Sequence, residues 1–149
     1  MTRRTSRLLA ADDGSTIPLT IFYGFLSLAL ILMVVAATSL YLERKRLFTL
    51  ADGAALVGAE AFTLDEVTMT PSGYRPTLTS AEVSAAVGGY LGSNPVGDFD
   101  SLVVESAGTV DGRNATVSLS AHWSPPVLSL LLPSGLRLEV TAVARSVFS

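Results

Sequence analysis

Few side chains in this chain could do chemistry, and they are scattered. His122 is the single histidine and there is no cysteine, so a histidine pair for a metal, a histidine dyad, a thiolate ligand and a thiol nucleophile are all ruled out. An acid–base enzyme would have to run on carboxylates, with Asp98 beside Asp100 or Glu105 as the pairs on offer. Asp98, Asp100 and Asp111 could be pictured around calcium, yet no loop has the EF-hand spacing. Serine and threonine are abundant but lack a Gly-x-Ser-x-Gly elbow. Neither a P-loop lysine nor a Gly-x-Gly-x-x-Gly run after a strand is present. Asn114-Ala115-Thr116 fits a glycosylation sequon, a short pattern that arises readily by chance. The expectation is a non-catalytic protein with no cofactor, no metal and no small-molecule substrate.

The elements that would position any such group are organised by one stretch. Ser15 to Leu42 runs without a charged side chain. At about 1.5 Å per helical residue it covers roughly 42 Å, more than the roughly 30 Å of a bilayer's hydrocarbon core. Asp12 and Asp13 bound it on one side, and Glu43, Arg44, Lys45 and Arg46 on the other. The expected organisation is a cytoplasmic leader at 1–14, a transmembrane helix at 15–42, an amphipathic extension at 43–64 and a small extracytoplasmic domain at 65–149. Pro18 falls in the first helical turn, after Ser15 or Thr16 as N-cap, where its missing N–H costs nothing. Arg3, Arg4 and Arg7 are matched in number by the basic run at 44–46, so the positive-inside rule does not decide orientation. The short tail ahead of the first apolar segment favours a cytoplasmic N-terminus in a single-pass cell-membrane protein. Cleavage near Val35-Ala36-Ala37 is the rival, but the apolar block exceeds the about 7 to 15 residues usual for a signal peptide.

From Leu47 onward ten acidic residues stand against four basic ones. A net-negative domain without a basic stripe argues against nucleic acid as a partner and leaves membrane lipid and other proteins. Helical periodicity continues past the basic edge through Leu47, Leu50, Ala51, Ala54, Gly58, Ala61 and Phe62. Within it Ala51, Ala54, Ala55, Gly58 and Ala59 form a small-residue surface that another backbone could approach closely. Either the chain's own domain packs there, or a helix of another subunit does.

Thr70 to Thr79 holds Pro71, Gly73 and Pro76 and reads as a loop. Thr79 with Glu82 has capping-box spacing, with Ser80 as an alternative cap. The helix that follows is expected over 81–91, burying Val83, Ala86, Val87, Tyr90 and Leu91 and ending at Gly92, Asn94 and Pro95. Ala115, Val117, Leu119, Ala121 and Trp123 alternate with polar neighbours, as do Leu136, Leu138, Val140, Ala142 and Ala144. Such alternation predicts an antiparallel sheet with one dry face. A less regular third strand is expected over 102–110, joined through Asp111-Gly112 by a tight type I′ turn. Val127, Leu128, Leu130, Leu131 and Leu132, between prolines, would either cover the sheet's edge or form an apolar patch for a partner or the membrane surface. The expected class is therefore α+β: a long transmembrane helix continuing into an amphipathic one, then a short helix and a three-stranded antiparallel sheet.

Asp12-Asp13-Gly14-Ser15-Thr16-Ile17-Pro18, the apolar helix, and Tyr41-Leu42-Glu43-Arg44-Lys45-Arg46-Leu47 running into Ala51-Asp52-Gly53-Ala54-Ala55-Leu56-Val57-Gly58-Ala59 together resemble the TadE/TadG-like proteins of bacterial Flp (tight adherence) pilus systems, in particular the actinobacterial TadG-related type. The resemblance covers roughly residues 12–62. It implies a minor-pilin-like or pseudopilin-like component of the pilus or a related secretion system, whose partners are sibling membrane proteins of that machine. It also implies processing by a prepilin peptidase after a glycine, a place Gly14 could fill, with Ser15 as the first mature residue. The fifth mature residue would be Leu19, where the family's pattern has glutamate. A filament subunit and a permanently anchored assembly factor both stay open, as does a single-pass envelope protein whose domain is a binding module.

Overall fold

A computed structural model describes residues 16–63, 67–71, 73–94, 99–124 and 135–147 of the chain. The elements are helix α1 (Thr16–Ala59), strands β1 (Val67–Thr70) and β2 (Gly73–Pro76), helix α2 (Ser80–Ser93) and strands β3 (Asp100–Thr109), β4 (Asn114–Trp123) and β5 (Leu136–Arg145). The class is α+β, as the sequence predicts. Two compact units meet between Val34 and Val35.

In the first unit, residues 16–34 of α1 expose Ile17, Phe22, Phe25, Leu26, Leu30 and Met33. The most apolar window of α1 has a mean hydropathy of 2.5 and is almost wholly unburied. A helix this apolar with no protein over it fits a single-pass membrane protein. Its polar groups are handled locally: the Thr20 hydroxyl donates to the Thr16 carbonyl one turn back, at 2.9 Å, as hydroxyls in apolar helices must.

In the second unit, the same helix changes character. Leu47, Ala51, Ala54, Ala55, Gly58 and Ala59 are buried, and they share one core with Val83 and Val87 of α2 and Ala115, Val117, Leu119, Ala121, Val140 and Ala142 of the sheet. Alanine and glycine let the helix lie close to the sheet, where alanines again meet it. The sheet is antiparallel with β4 in the centre, in the order β3-β4-β5. Ala115 pairs with Ala144, Leu119 with Val140 and Trp123 with Leu136, so the dry faces of both strands fall on the same side.

β4 runs antiparallel to α1. A Cβ placed on Gly58 would lie 3.4 Å from the Ala115 Cβ, and at the other end of the strand the Trp123 Nε1–H donates to the Ser39 hydroxyl at 3.3 Å. The rise from Ser39 to Gly58, about 28 Å on a helix, matches the about 26 Å from Trp123 back to Ala115 on a strand. Helix and strand therefore accompany each other over the strand's full length.

Three local outcomes differ from the sequence reading. α1 ends at Ala59 rather than running on through Phe62, with Glu60 N–H bonding back to both Leu56 and Val57 and Ala61 N–H to Gly58, a tightening last turn. Residues 67–76 form a two-stranded hairpin, Val67 pairing with Pro76 and Thr70 with Gly73. Its prolines sit in the turn and at the strand's end, where no ladder N–H is needed. The β3–β4 connection is a four-residue loop, not a type I′ turn. Gly112 takes φ +67 but Asp111 does not enter the positive region, because its carboxylate instead accepts from the Arg113 and Asn114 N–H groups at 2.9 and 2.8 Å, an Asx arrangement.

α2 begins as expected, with a capping box at Thr79. The Thr79 hydroxyl accepts from the Glu82 N–H and the Glu82 carboxylate accepts from the Thr79 N–H. The alternative cap, Ser80, is used otherwise: its hydroxyl donates to the Thr109 carbonyl and accepts from the Thr109 N–H, tying the start of α2 to the end of β3.

Candidate functional site

The polar side chains of the second unit converge on the outer face of the sheet. β3 is the reason. It carries one extra residue relative to β4 between the pairs Asp100–His122 and Val103–Ser120, and another between Val104–Leu119 and Ser106–Ser118. Apolar residues on the dry face switch from even positions, Leu102 and Val104, to odd, Ala107. A period-two strand can make that switch only by a bulge. Ser101, at φ 53, lies in the first irregularity and Glu105 in the second.

Released from regular pairing, the Glu105 carboxylate reaches across β4. It accepts from the Ser120 hydroxyl at 2.5 Å and is ion-paired with Arg137 of β5, whose guanidinium also donates to the Ser120 oxygen at 3.1 Å. One strand step along, Ser118 and Thr141 share a hydrogen bond of 2.8 Å. Ser120 is buried to about 1% exposure, and a hydroxyl so placed needs these partners.

The Ser120 hydrogen bond, foremost, and the Arg137 hydrogen bond and charge hold the Glu105 carboxyl below its usual range, against an opposing push from desolvation. The cluster ties three strands together across the outer face.

The other carboxylates do not join it. Asp100 is exposed at the start of β3, and Asp98 lies outside the described residues. The Asp111 carboxylate serves the turn and is held below its usual range by the backbone N–H groups of Asn114 and Arg113. Among the described residues no group of three or more histidine and carboxylate side chains could hold a metal. His122 is exposed, on the outer face. The Asn114 side-chain amide donates to Asp111.

Of the residues singled out for processing or packing, Gly14 and Ser15 lie outside the described residues, as do residues 127–132. Ala51, Ala54, Ala55, Gly58 and Ala59 are brought together in the core, where a Cβ on Gly58 would stand 3.0 Å from Val83 Cγ1 and 3.5 Å from Val87 Cγ2. Within this chain the small-residue surface is taken up by α2 and β4. Earlier on α1, the exposed Tyr41, Arg44, Lys45 and Phe48 line a shallow groove, at the i, i+3, i+4, i+7 spacing of neighbours on a helix.

The residues that sequence reasoning missed are Ser120 and Arg137. Both looked like ordinary wet-face positions, and only the broken alternation of β3 hinted that a carboxylate would be turned toward them.

Residues 14–61 match the family model described as putative Flp pilus-assembly TadE/G-like. No curated protein and no solved structure matches the chain.

Proposed function

We propose, with the TadE/G-like segment at residues 14–61 as premise, that the chain is a membrane-anchored, non-catalytic component of a Flp-type pilus assembly machine, of minor-pilin or pseudopilin character. Its N-terminus is cytoplasmic and its sheet-bearing unit extracytoplasmic. Its partners are lipid and sibling pilus proteins. The observation that carries this reading is the division of labour along α1. Residues 16–34 leave bulky apolar side chains uncovered, while the small residues from Ala51 onward are consumed by the chain's own core. Contacts with sibling helices then fall to the apolar stretch, where packing between helices in lipid is driven by van der Waals contact.

The chain has no cysteine, which makes the test direct. Single cysteines at Leu26, Leu30 or Met33, crosslinked in native membranes, capture sibling pilus proteins. Monomer at every position, with expression and membrane insertion intact, counts decisively against the proposal. Processing after Gly14, with Ser15 as the first mature residue, is part of the same reading and is decided by the mass of the protein recovered from its own membrane.

A further inference from the structure

We infer that Tyr41, Arg44, Lys45 and Phe48 form a headgroup site for an anionic phospholipid on one exposed face of α1. The inference rests on the membrane-spanning reading of that helix and adds to it the class of lipid held at its charged end.

The four side chains stand together over two helical turns and line one shallow groove. All four are exposed. Chain position brings that groove to lipid. Leu42 is the last residue of the uncharged run, and Arg44 and Lys45 follow it within one turn of the same helix. Where such a run crosses a bilayer, the turn after it enters the headgroup layer, and the groups that cations meet there are phosphates. Arg44 offers a planar fork of donors that matches a phosphate, and Lys45 sets a point charge on a flexible stem beside it.

The distribution of charge separates this face from the basic run as a whole. Arg46 is paired with Glu43 at 3.6 Å, whereas among the described residues neither Arg44 nor Lys45 has a carboxylate partner. The uncompensated positive charge of the run therefore lies in the groove. The aromatic residues favour a lipid over a soluble anion. Tyr41 is 64% exposed and Phe48 47%, and rings left open on either side of two cations suit the glycerol backbone and first methylenes of a phospholipid. A free phosphate would engage the cations and leave both rings in water.

The test titrates full-length protein in a neutral detergent with phosphatidylglycerol, or with phosphatidylcholine of the same acyl chains, and reads the lipid-bound fraction by native mass spectrometry. Phosphatidylglycerol should bind about tenfold more tightly or better, a comparison that needs no variant. Arg44→Gln and Lys45→Gln should each weaken its binding about fivefold. Phe48→Ala should weaken both lipids without changing their ratio. Removing the neutral pair with Glu43→Gln and Arg46→Gln together should change binding by less than about twofold. Unchanged Trp123 fluorescence shows that each variant is folded. Equal binding of the two lipids overturns the inference, as does a loss on removing the Glu43–Arg46 pair as large as that for Arg44→Gln. Displacement of phosphatidylglycerol by excess glycerol 3-phosphate overturns it in favour of a soluble anion, and a dimer that Lys45→Gln dissolves with lipid binding unchanged overturns it in favour of a second copy. Alkaline carbonate extraction of native membranes separates this inference from the spanning reading. Protein that stays in the pellet but does not prefer phosphatidylglycerol overturns the lipid site alone, and protein released by carbonate overturns both.

Discussion

Gly58→Ala is a test of how closely α1, α2 and β4 approach. In an isolated helix the substitution would stabilise by about 1 kcal/mol, since glycine is that much poorer than alanine in a helix interior. Here the new methyl would stand 3.0 Å from Val83 Cγ1, with Ala115 Cβ at 3.4 Å and Val87 Cγ2 at 3.5 Å around it. Valine in a helix has one strongly preferred rotamer, so Val83 cannot swing aside, and the other two neighbours prevent the methyl from shifting away. Overpacking of this kind costs about 1 to 3 kcal/mol. The net expectation is a loss of up to about 2 kcal/mol. Val83→Ala alone should cost about 2 kcal/mol for the two buried carbons it removes. Because it takes away the clashing atom, the double variant should be more stable than the sum of the two losses by about 1 kcal/mol or more. Denaturant unfolding of the full-length protein in detergent, followed by Trp123 fluorescence, measures all four species. If Gly58→Ala stabilises by the full helix-propensity increment and the two changes add, the close packing derived for this corner is wrong.

Other consequences follow from the same contacts. Thr79→Ala removes the cap of α2 and should destabilise by about 1 kcal/mol, while Ser80→Ala, which cuts the tie to Thr109, should act independently of Thr79 only if the two hydroxyls have the separate roles seen; a double-mutant cycle reads this. Leu119→Ala, at a fully buried site in the central strand, should cost about 2 to 5 kcal/mol in the same unfolding assay. The folded-state pKa values of Glu105 and Asp111 are both depressed from their ordinary 4.5 and 3.8. Their contribution to stability is therefore complete above those values and is lost as pH falls through the lower folded-state values. Stability measured against pH should decline from about pH 4.5 downward, and Glu105→Gln combined with Asp111→Asn should flatten that decline. An unchanged slope in the double variant would mean that other carboxylates govern acid unfolding.

Much of this architecture was legible because its signals are periodic. The uncharged run from Ser15 to Leu42 and the alternation from Ala115 to Trp123 each repeat over enough residues to outweigh local noise. So did the capping box, where Thr79 and Glu82 carry complementary groups at the required spacing. What escaped was decided by single contacts. The sequence has Asp-Gly at the β3–β4 turn, and a type I′ turn is the usual expectation; the Asp111 carboxylate found two backbone N–H groups to accept from, and that local bond overrode the dipeptide's preference. The 67–76 hairpin was hidden by its prolines, which sit where the ladder does not need them. Glu105, Ser120 and Arg137 come from three strands and meet through a bulge, so no spacing along the chain could have linked them.

The distribution of small and large residues along α1 also explains why the helix can serve two environments. In lipid, bulky apolar side chains cost nothing to leave uncovered, and Phe25 or Met33 need no protein partner. Beyond the basic run the surroundings become aqueous, and the same exposure would be penalised at about 25 cal/mol per Å². The chain meets this by shrinking the side chains to alanine and glycine and laying a sheet, itself lined by Ala115, Ala121 and Ala142, over them. Close approach then excludes water with little side-chain bulk. It also fixes the register of the head on the helix, because Ala115 fits beside Gly58 and Trp123 beside Ser39. A head that slid by one helical turn, about 5.4 Å, would push a valine against a glycine seat and strip the indole of its partner. The position of the sheet relative to the basic run is thus set by packing within the chain.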